Sequence, residues 1–328
     1  MIPSPSLFLI ITAIALLADA LIGDPDRIYR HVPHPVALIG WLIDFFDHHW
    51  NRPEWSPVRR IQSGALTIFI VVSVSGTIGI MLHVLLQQWV YGWIVEGLLM
   101  SVLIAQRSLY LHVRAVATAF SSNGLEGARQ AVAQIVGRDT TGLEEEGVAA
   151  GAIESLAENF SDGVVAPVFW GVIFGLPGML AYKALNTADS MIGHRTDKYL
   201  HFGSVSARTD DIANFIPARL SGGIIAIAAL MGSNSRVGVA LGVMKADAYK
   251  HRSVNAGYPE AAMAGALGIR LSGPRLYDGQ QVEEPWVGAD FAAPTCRDIA
   301  RGLRVFVKAC GILFGMIAGA AGLLILIG

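Results

Sequence analysis

The stretch GALTIFIVVSVSGTIGIMLHVLL, Gly64 to Leu86, contains no Asp, Glu, Lys or Arg. A helix needs about 20 consecutive apolar residues to cross the hydrocarbon core of a bilayer, so this run is read as a span. Leu7 to Gly23 and Val305 to Ile327 are read the same way. Val90 to Ala105 is shorter and carries Glu96, but the connector before it, Gln87-Gln88-Trp89, has no Lys or Arg, and the pair reads as a membrane hairpin. The composition agrees. Of 328 residues, 53% are hydrophobic and 15% charged, against about 25% charged in ordinary soluble domains. The expected fold class is all-α: a polytopic integral membrane protein with about four full spans, re-entrant segments and helical cytoplasmic loops.

Several classes are excluded early. The 24 basic and 26 acidic residues nearly cancel, leaving no polybasic field for nucleic acid. The two cysteines, Cys296 and Cys310, supply neither a disulfide framework nor a zinc site. No Gly-Lys dipeptide occurs, so no P-loop is present. The first run ends in Ala18-Asp19-Ala20, which mimics a signal-peptidase site, but no basic residue precedes it and it reads as an uncleaved anchor.

Arg27, Arg30, Arg52, Arg59 and Arg60 all lie between the first two runs, which assigns that segment to the cytoplasm. The chain then reads as a single membrane-embedded domain whose cytoplasmic loops, 24–63, 106–163, 183–211 and 232–304, carry the site. Val164 to Tyr182 contains Gly171, Gly175, Pro177 and Gly178. Such a break at membrane depth needs other groups to satisfy the freed backbone, so this segment is expected to be re-entrant. Ile212 to Met231 is a second apolar segment of ambiguous course. His34 to Trp50 has the pattern of an interfacial amphipathic helix. Ser121 to Gly124 marks a break between helices, and Ser272 to Pro285 a turn-rich loop.

Polar side chains are costly near a bilayer, so the loops that concentrate them are candidate sites. Glu154, Glu158 and Asp162 follow at spacing four. On one helix they form an acidic stripe that either holds Mg²⁺ or is a solvated face. Lys183, Asn186, Asp189, Ser190 and Arg195 crowd a short segment that either lines a wet cavity or caps the apolar run before it. Arg208, Asp210, Asp211, Asn214 and Arg219 make a third set, able to hold a metal and phosphate oxygens or to form an ion-pair network at a helix end. His251, Arg252, Ser253, Asn255, Gly257 and Glu260 form a Gly/Pro-punctuated fourth.

Taken in order, these motifs resemble the adenosylcobinamide-phosphate synthase family, the membrane-bound amide-forming enzymes of cobalamin biosynthesis. The resemblance runs through Asp19 with Gly23-Asp24-Pro25, His34-Pro35-Val36, Gly137-Arg138-Asp139-Thr140, Glu154-Ser155 and Ala157-Glu158-Asn159. It continues in Asp162-Gly163, Asn186-Thr187, Asp189-Ser190-Met191, Asp210-Asp211, Pro217-Ala218-Arg219-Leu220, Asn255-Ala256-Gly257 and Pro259-Glu260-Ala261-Ala262. Ala150-Gly151 and Val254 depart from the family pattern, which has Arg-Ala and Pro there.

The resemblance implies an ATP-dependent ligase that joins adenosylcobyric acid to aminopropanol or its phosphate. ATP is then a co-substrate and Mg²⁺ the cofactor, because a carboxylate must become an acyl phosphate before an amine attacks it. The resemblance marks the positions, and their chemistry assigns the roles: Glu154, Glu158 and Asp162, or Asp210 and Asp211, are expected at the metal. Lys183, Asn186, Arg195, Arg208, Arg219 and Asn255 bind the co-substrate, and Asp189 or His251 takes the amine proton. The expected partners are a corrinoid, the amine, the lipid bilayer, and either a second copy or other corrinoid-pathway enzymes in the cytoplasmic (inner) membrane. A transporter is disfavoured, since the ionisable residues of the three clear runs, Asp19, His83 and Lys308, lie near their ends. The remaining alternative is a non-catalytic membrane sensor of the same distant superfamily.

Overall fold

Proline, glycine and short polar side chains set the helix boundaries. The computed structural model describes residues 5–24, 29–137, 139–231, 236–277 and 280–327. Its first helices are α1 (Pro5–Leu21), α2 (Pro35–Trp50), α3 (Pro57–Leu86) and α4 (Gly92–Ser101). His34 Nδ1 accepts the Val36 N–H at 3.1 Å to cap α2, and Ser56 Oγ accepts the Arg59 N–H at 3.4 Å to cap α3. Each cap is followed by proline, whose missing N–H costs nothing in the first turn. Next come α5 (Gln106–Val132), α6 (Glu145–Phe160), a π turn (Ser161–Val165), α7 (Ala166–Ile192), α8 (Ser204–Ala228), α9 (Val237–Asp247), α10 (Gly257–Leu267) and α11 (Cys296–Ile327). Between α10 and α11, β1 (Leu271–Ser272) pairs antiparallel with β4 (Trp286–Val287), and β2 (Arg275–Tyr277) with β3 (Gln280–Val282). The region read as a turn-rich loop therefore holds two short ladders, and the protein is an all-α polytopic membrane protein.

Among the described residues, five helical stretches are long and apolar enough to cross a membrane: Pro57–Leu86, Gly92–Val132, Glu145–Ile192, Ser204–Met231 and Cys296–Ile327. Ser6–Leu21 is a shorter apolar helix. Two of the five contain the segments of ambiguous course. The helix over Val164 to Tyr182 is interrupted at Gly175 (φ 64°, ψ −153°), two residues before Pro177. A Cβ at Gly175 would stand 2.7 Å from the Phe8 ring, so both the turn and the packing require glycine. The expected break at Ser121 to Gly124 is likewise present, at Gly124 (φ 65°). The segment 183–211, read as a loop, is largely helical, because α7 continues to Ile192 and α8 starts at Ser204.

The chain forms two compact units. The first comprises Met1–Ala105, Ala166–Asn214 and Met316–Gly328. Its core joins Ile39, Ile43 and Phe46 of α2, Ile68 and Val71 of α3, and Ala184, Ala188 and Ile192 of α7 to Phe202. The loop from α7 to α8 is then tied to α2 and α3 by a polar clamp. Asn51 Nδ2 donates to Asp47 Oδ1 at 2.8 Å, Arg60 Nε to Asn51 Oδ1 at 3.0 Å, and Lys198 Nζ to Asp47 Oδ2 at 2.6 Å. Arg60 also donates to the Lys198 carbonyl.

The second unit comprises Gln106–Val165 and Phe215–Gly315. Here α10 is buried on every side, which suits its run of alanine, glycine and methionine. A Cβ at Gly265 would stand 2.6 Å from Ala240 Cα, so α9 and α10 meet backbone to backbone. Gly268 (φ 67°) ends α10 in the left-handed conformation that glycine adopts without strain.

Candidate functional site

Helix periodicity assembles a cluster in the first unit. On α7, Tyr182, Asn186 and Asp189 follow at spacings of four and three and share a face. On α8, Asp210 and Asn214 do the same at spacing four. The Tyr182 hydroxyl donates to Asn214 Oδ1 at 2.9 Å, and Asn214 Nδ2 donates to Asp210 Oδ2 at 2.9 Å. Asp210 is only 8% exposed, and its other oxygen, Oδ1, has no hydrogen-bond donor among the described residues. Asn186 lies beside Asp210, and Asp189 and Asp211 are near enough to repel it. Arg195 lies near Asp211, and His194 near Asp189. The cluster therefore gathers three carboxylates about a buried Asp210 oxygen that no donor among the described residues reaches.

Two local features hold it. Gly193 donates its N–H to Asp189 O at 2.7 Å, and a Cβ there would stand 1.9 Å from Asp189 Oδ1. The clamp around Asp47 fixes the loop that follows, and the Asp47 carboxylate hydrogen-bonded to Lys198 holds that ammonium pKa above its ordinary value. Lys183, half-buried on α7, and Arg208, exposed on α8, belong to the same unit. Of the residues singled out in the sequence, Asn186, Asp189, Arg195, Asp210 and Asp211 are thus drawn together. Tyr182 was not among them. Its spacing to Asn186 and Asp189 is the signal that finds it.

A second polar cluster lies in the other unit. Glu154 is 5% exposed and its Oε1 accepts the Ser272 N–H at 2.7 Å. Ser272 Oγ donates to Glu260 Oε2 at 3.3 Å, and His251 Nε2 is 3.7 Å from Glu260 Oε1. His251 Nδ1 accepts the Ser253 N–H at 3.0 Å. Ser272 sits at φ 61°, a conformation that costs a non-glycine residue energy and that these two carboxylates hold in place. Glu158 is exposed on α6, while Asp162 is half-buried in the π turn that follows. Arg219 lies over the rings of Phe215 (3.6 Å) and Tyr258 (4.0 Å) and donates to Asn255 Oδ1 at 3.0 Å. Sequence reading missed Ser272, whose partners are more than a hundred residues away or on a different helix face.

Among the described residues no three His, Cys, Asp or Glu side chains gather closely enough to hold a metal unaided. The motif residues outside these clusters shape turns. Asp139 Oδ1 accepts the Thr141 N–H at 2.9 Å, which lowers its pKa, and Thr140 Oγ1 donates to Arg129 O at 3.2 Å. Arg138 and Pro25 lie outside the described residues. Asp24 is 3.6 Å from His34 Nε2, at the start of α2.

Comparison with known proteins places the sequence in a family. The family model described as CobD/Cbib protein matches residues 12–306. A protein of Sinorhizobium fredii (strain NBRC 101917 / NGR234) named "Cobalamin biosynthesis protein CobD" is 49% identical over 333 residues, covering 98% of each chain. Proteins of the same name from a Sinorhizobium species and from Rhodobacter capsulatus are 48% and 45% identical, each over 95% of this chain and 98% of the relative. No solved structure matches. By the extent of the family match and the identity to these relatives, the chain belongs to the CobD/Cbib protein family of cobalamin biosynthesis.

Proposed function

We propose that this protein forms an amide between adenosylcobyric acid and aminopropanol or its phosphate, with ATP as co-substrate and Mg²⁺ as cofactor, at the cytoplasmic face of the inner membrane. The observation that carries the reading is Asp210, a buried carboxylate with one oxygen lacking a donor and two more carboxylates beside it. Burying such a group is costly unless a cation compensates it. Hard oxygen donors of this kind fit Mg²⁺, which takes one or two carboxylates and completes its shell with water and phosphate.

In this reading Asp210 and Asp211 hold the ion, which when bound supplies positive charge to the phosphoryl oxygens. Arg195, Lys183 and Arg208 bind the phosphates, and the Asn186 amide orients the substrate. A corrinoid carboxylate oxygen attacks the γ-phosphorus and ADP leaves. The amine nitrogen then attacks the acyl carbon, the acyl carbon–oxygen bond breaks, and phosphate leaves. The nitrogen's proton goes to Asp189, which is more open to solvent than Asp210. His251 suits that role less well, since its two ring nitrogens already face the Ser253 N–H and Glu260.

Purified protein given ATP, Mg²⁺, adenosylcobyric acid and aminopropanol phosphate is expected to release one ADP and one phosphate per amide formed. ATP turnover without amide, or neither, would refute the ligase. The orientation has its own test. A cysteine placed at Ser204, at the start of α8, should react with an impermeant thiol reagent only in inverted vesicles, and labelling of intact cells contradicts it.

A further inference from the structure

The second unit contains a cavity of about 320 Å³ lined by the start of α11, the turn that follows α8 and the end of α10. Its walls are apolar except for four cations, Arg236, Arg301, Arg304 and Lys308. The three on α11 follow at spacings of three and four, so one helix face presents them, and from Ala309 to Ile327 the helix has no charged residue. Two of the four are braced by protein. Lys308 Nζ donates to Met231 O at 2.8 Å, while Arg301 donates to Leu267 O at 2.7 Å and to Asp298. The guanidinium groups of Arg236 and Arg304 have no hydrogen-bond or ion-pair partner among the described residues. A Cβ at Gly268 would stand 2.1 Å from Arg236 Nη1, so the glycine that ends α10 also leaves that guanidinium its place.

Four cations that share a single carboxylate in one cavity repel one another. A carboxylate ligand engages one guanidinium fork, whereas a phosphoryl group offers three oxygens and a larger charge to several at once. We infer that this cavity binds a phosphoryl group, with Arg236 and Arg304 as its direct contacts and Arg301 and Lys308 braced to hold the field. The inference does not depend on the amide-forming reaction. The phosphoryl group belongs either to a free phosphate compound or to an anionic lipid headgroup, since α11 runs on into a long apolar stretch.

The test uses the full chain in two settings, in neutral detergent titrated with inorganic pyrophosphate and in phosphatidylcholine nanodiscs with or without phosphatidylglycerol, following the unfolding temperature. Pyrophosphate or phosphatidylglycerol is expected to raise it. Arg304→Gln and Arg236→Gln should each weaken the apparent affinity about ten- to a hundredfold, the loss of one charge-assisted contact. Lys245→Gln, exposed on α9 and outside the cavity, should leave the affinity unchanged. A response to pyrophosphate in detergent assigns a free phosphate compound, and a response confined to phosphatidylglycerol assigns a headgroup. No response to either, or a response that survives both arginine substitutions, overturns the site.

Discussion

The two units each gather carboxylates around a buried one, yet they partner these groups in opposite ways. In the second unit, Glu154 and Glu260 accept from Ser272, and Glu260 faces His251, so its acidic oxygens have protein partners. In the first, Asp210 keeps one oxygen without a donor while Asp189 and Asp211 press on it. A satisfied buried network rigidifies a fold, whereas an unsatisfied one needs a ligand to complete it. The same residue types therefore serve structure in one unit and, in our proposal, chemistry in the other.

That contrast can be broken first at Asp189. If it takes the amine proton, Asp189→Asn should lower kcat for amide formation by about 10²- to 10⁴-fold, the usual worth of a general base. A loss of less than tenfold would move the base elsewhere, and the His251→Asn variant, measured alongside, would show whether it lies in the other cluster.

Gly193→Ala sharpens the comparison without touching a charge. The added methyl meets the Asp189 carboxylate and must push it aside. Displacements of about 1 Å near reacting atoms cost up to about a hundredfold, so an activity loss of ten- to a hundredfold is expected, with a smaller loss of stability because the methyl also stands 2.6 Å from the Asp189 carbonyl oxygen. Equal loss of stability and activity would mean that Asp189 is a structural residue like Glu154.

Some of this was legible in the sequence because it depends on local periodicity. Apolar runs of sufficient length marked Gly64 to Leu86 and Val305 to Ile327 as long helices, Gly124 falls within the break expected at Ser121 to Gly124, and Gly175 interrupts its helix two residues before the Pro177-Gly178 pair where the break was expected. Asn186, Asp189, Asp210 and Asp211 cluster because each pair shares a helix turn or neighbours one. The acidic stripe behaves differently. Spacing four puts Glu154, Glu158 and Asp162 in one line, but Glu158 is exposed whereas Glu154 is buried and claimed by Ser272, which lies 118 residues away. No local pattern encodes such a contact. The cationic cavity escaped for the same reason, since Arg236 and the face of α11 meet only through the fold.

The smallest effect is expected at the clamp that carries the loop between α7 and α8. Lys198 is largely exposed although its partner Asp47 is buried, and Asn51 and Tyr199 still donate to that carboxylate when the lysine is lost. Lys198→Ala should therefore cost only about 0.5–1 kcal/mol of stability, read by denaturant or thermal unfolding. Because the ammonium pKa is raised by Asp47, the lysine's contribution is present below its ordinary titration range and fades as pH rises through the folded value. A much larger loss would place the clamp inside the catalytic cluster and not beneath it.

The central claim, that the unsatisfied cluster and not the satisfied one does the chemistry, is tested most directly by measuring Mg²⁺-dependent amide formation for Asp210→Asn and Glu154→Gln side by side. Both changes remove a charge and keep the shape. The account predicts that Asp210→Asn folds, since Asn214 and Tyr182 remain around it, but forms no amide at any Mg²⁺ concentration. Glu154→Gln, whose amide oxygen still accepts the Ser272 N–H, should keep turnover within about threefold of the parent, a change under about 1 kcal/mol. An active Asp210→Asn, or an inactive but folded Glu154→Gln, would contradict it.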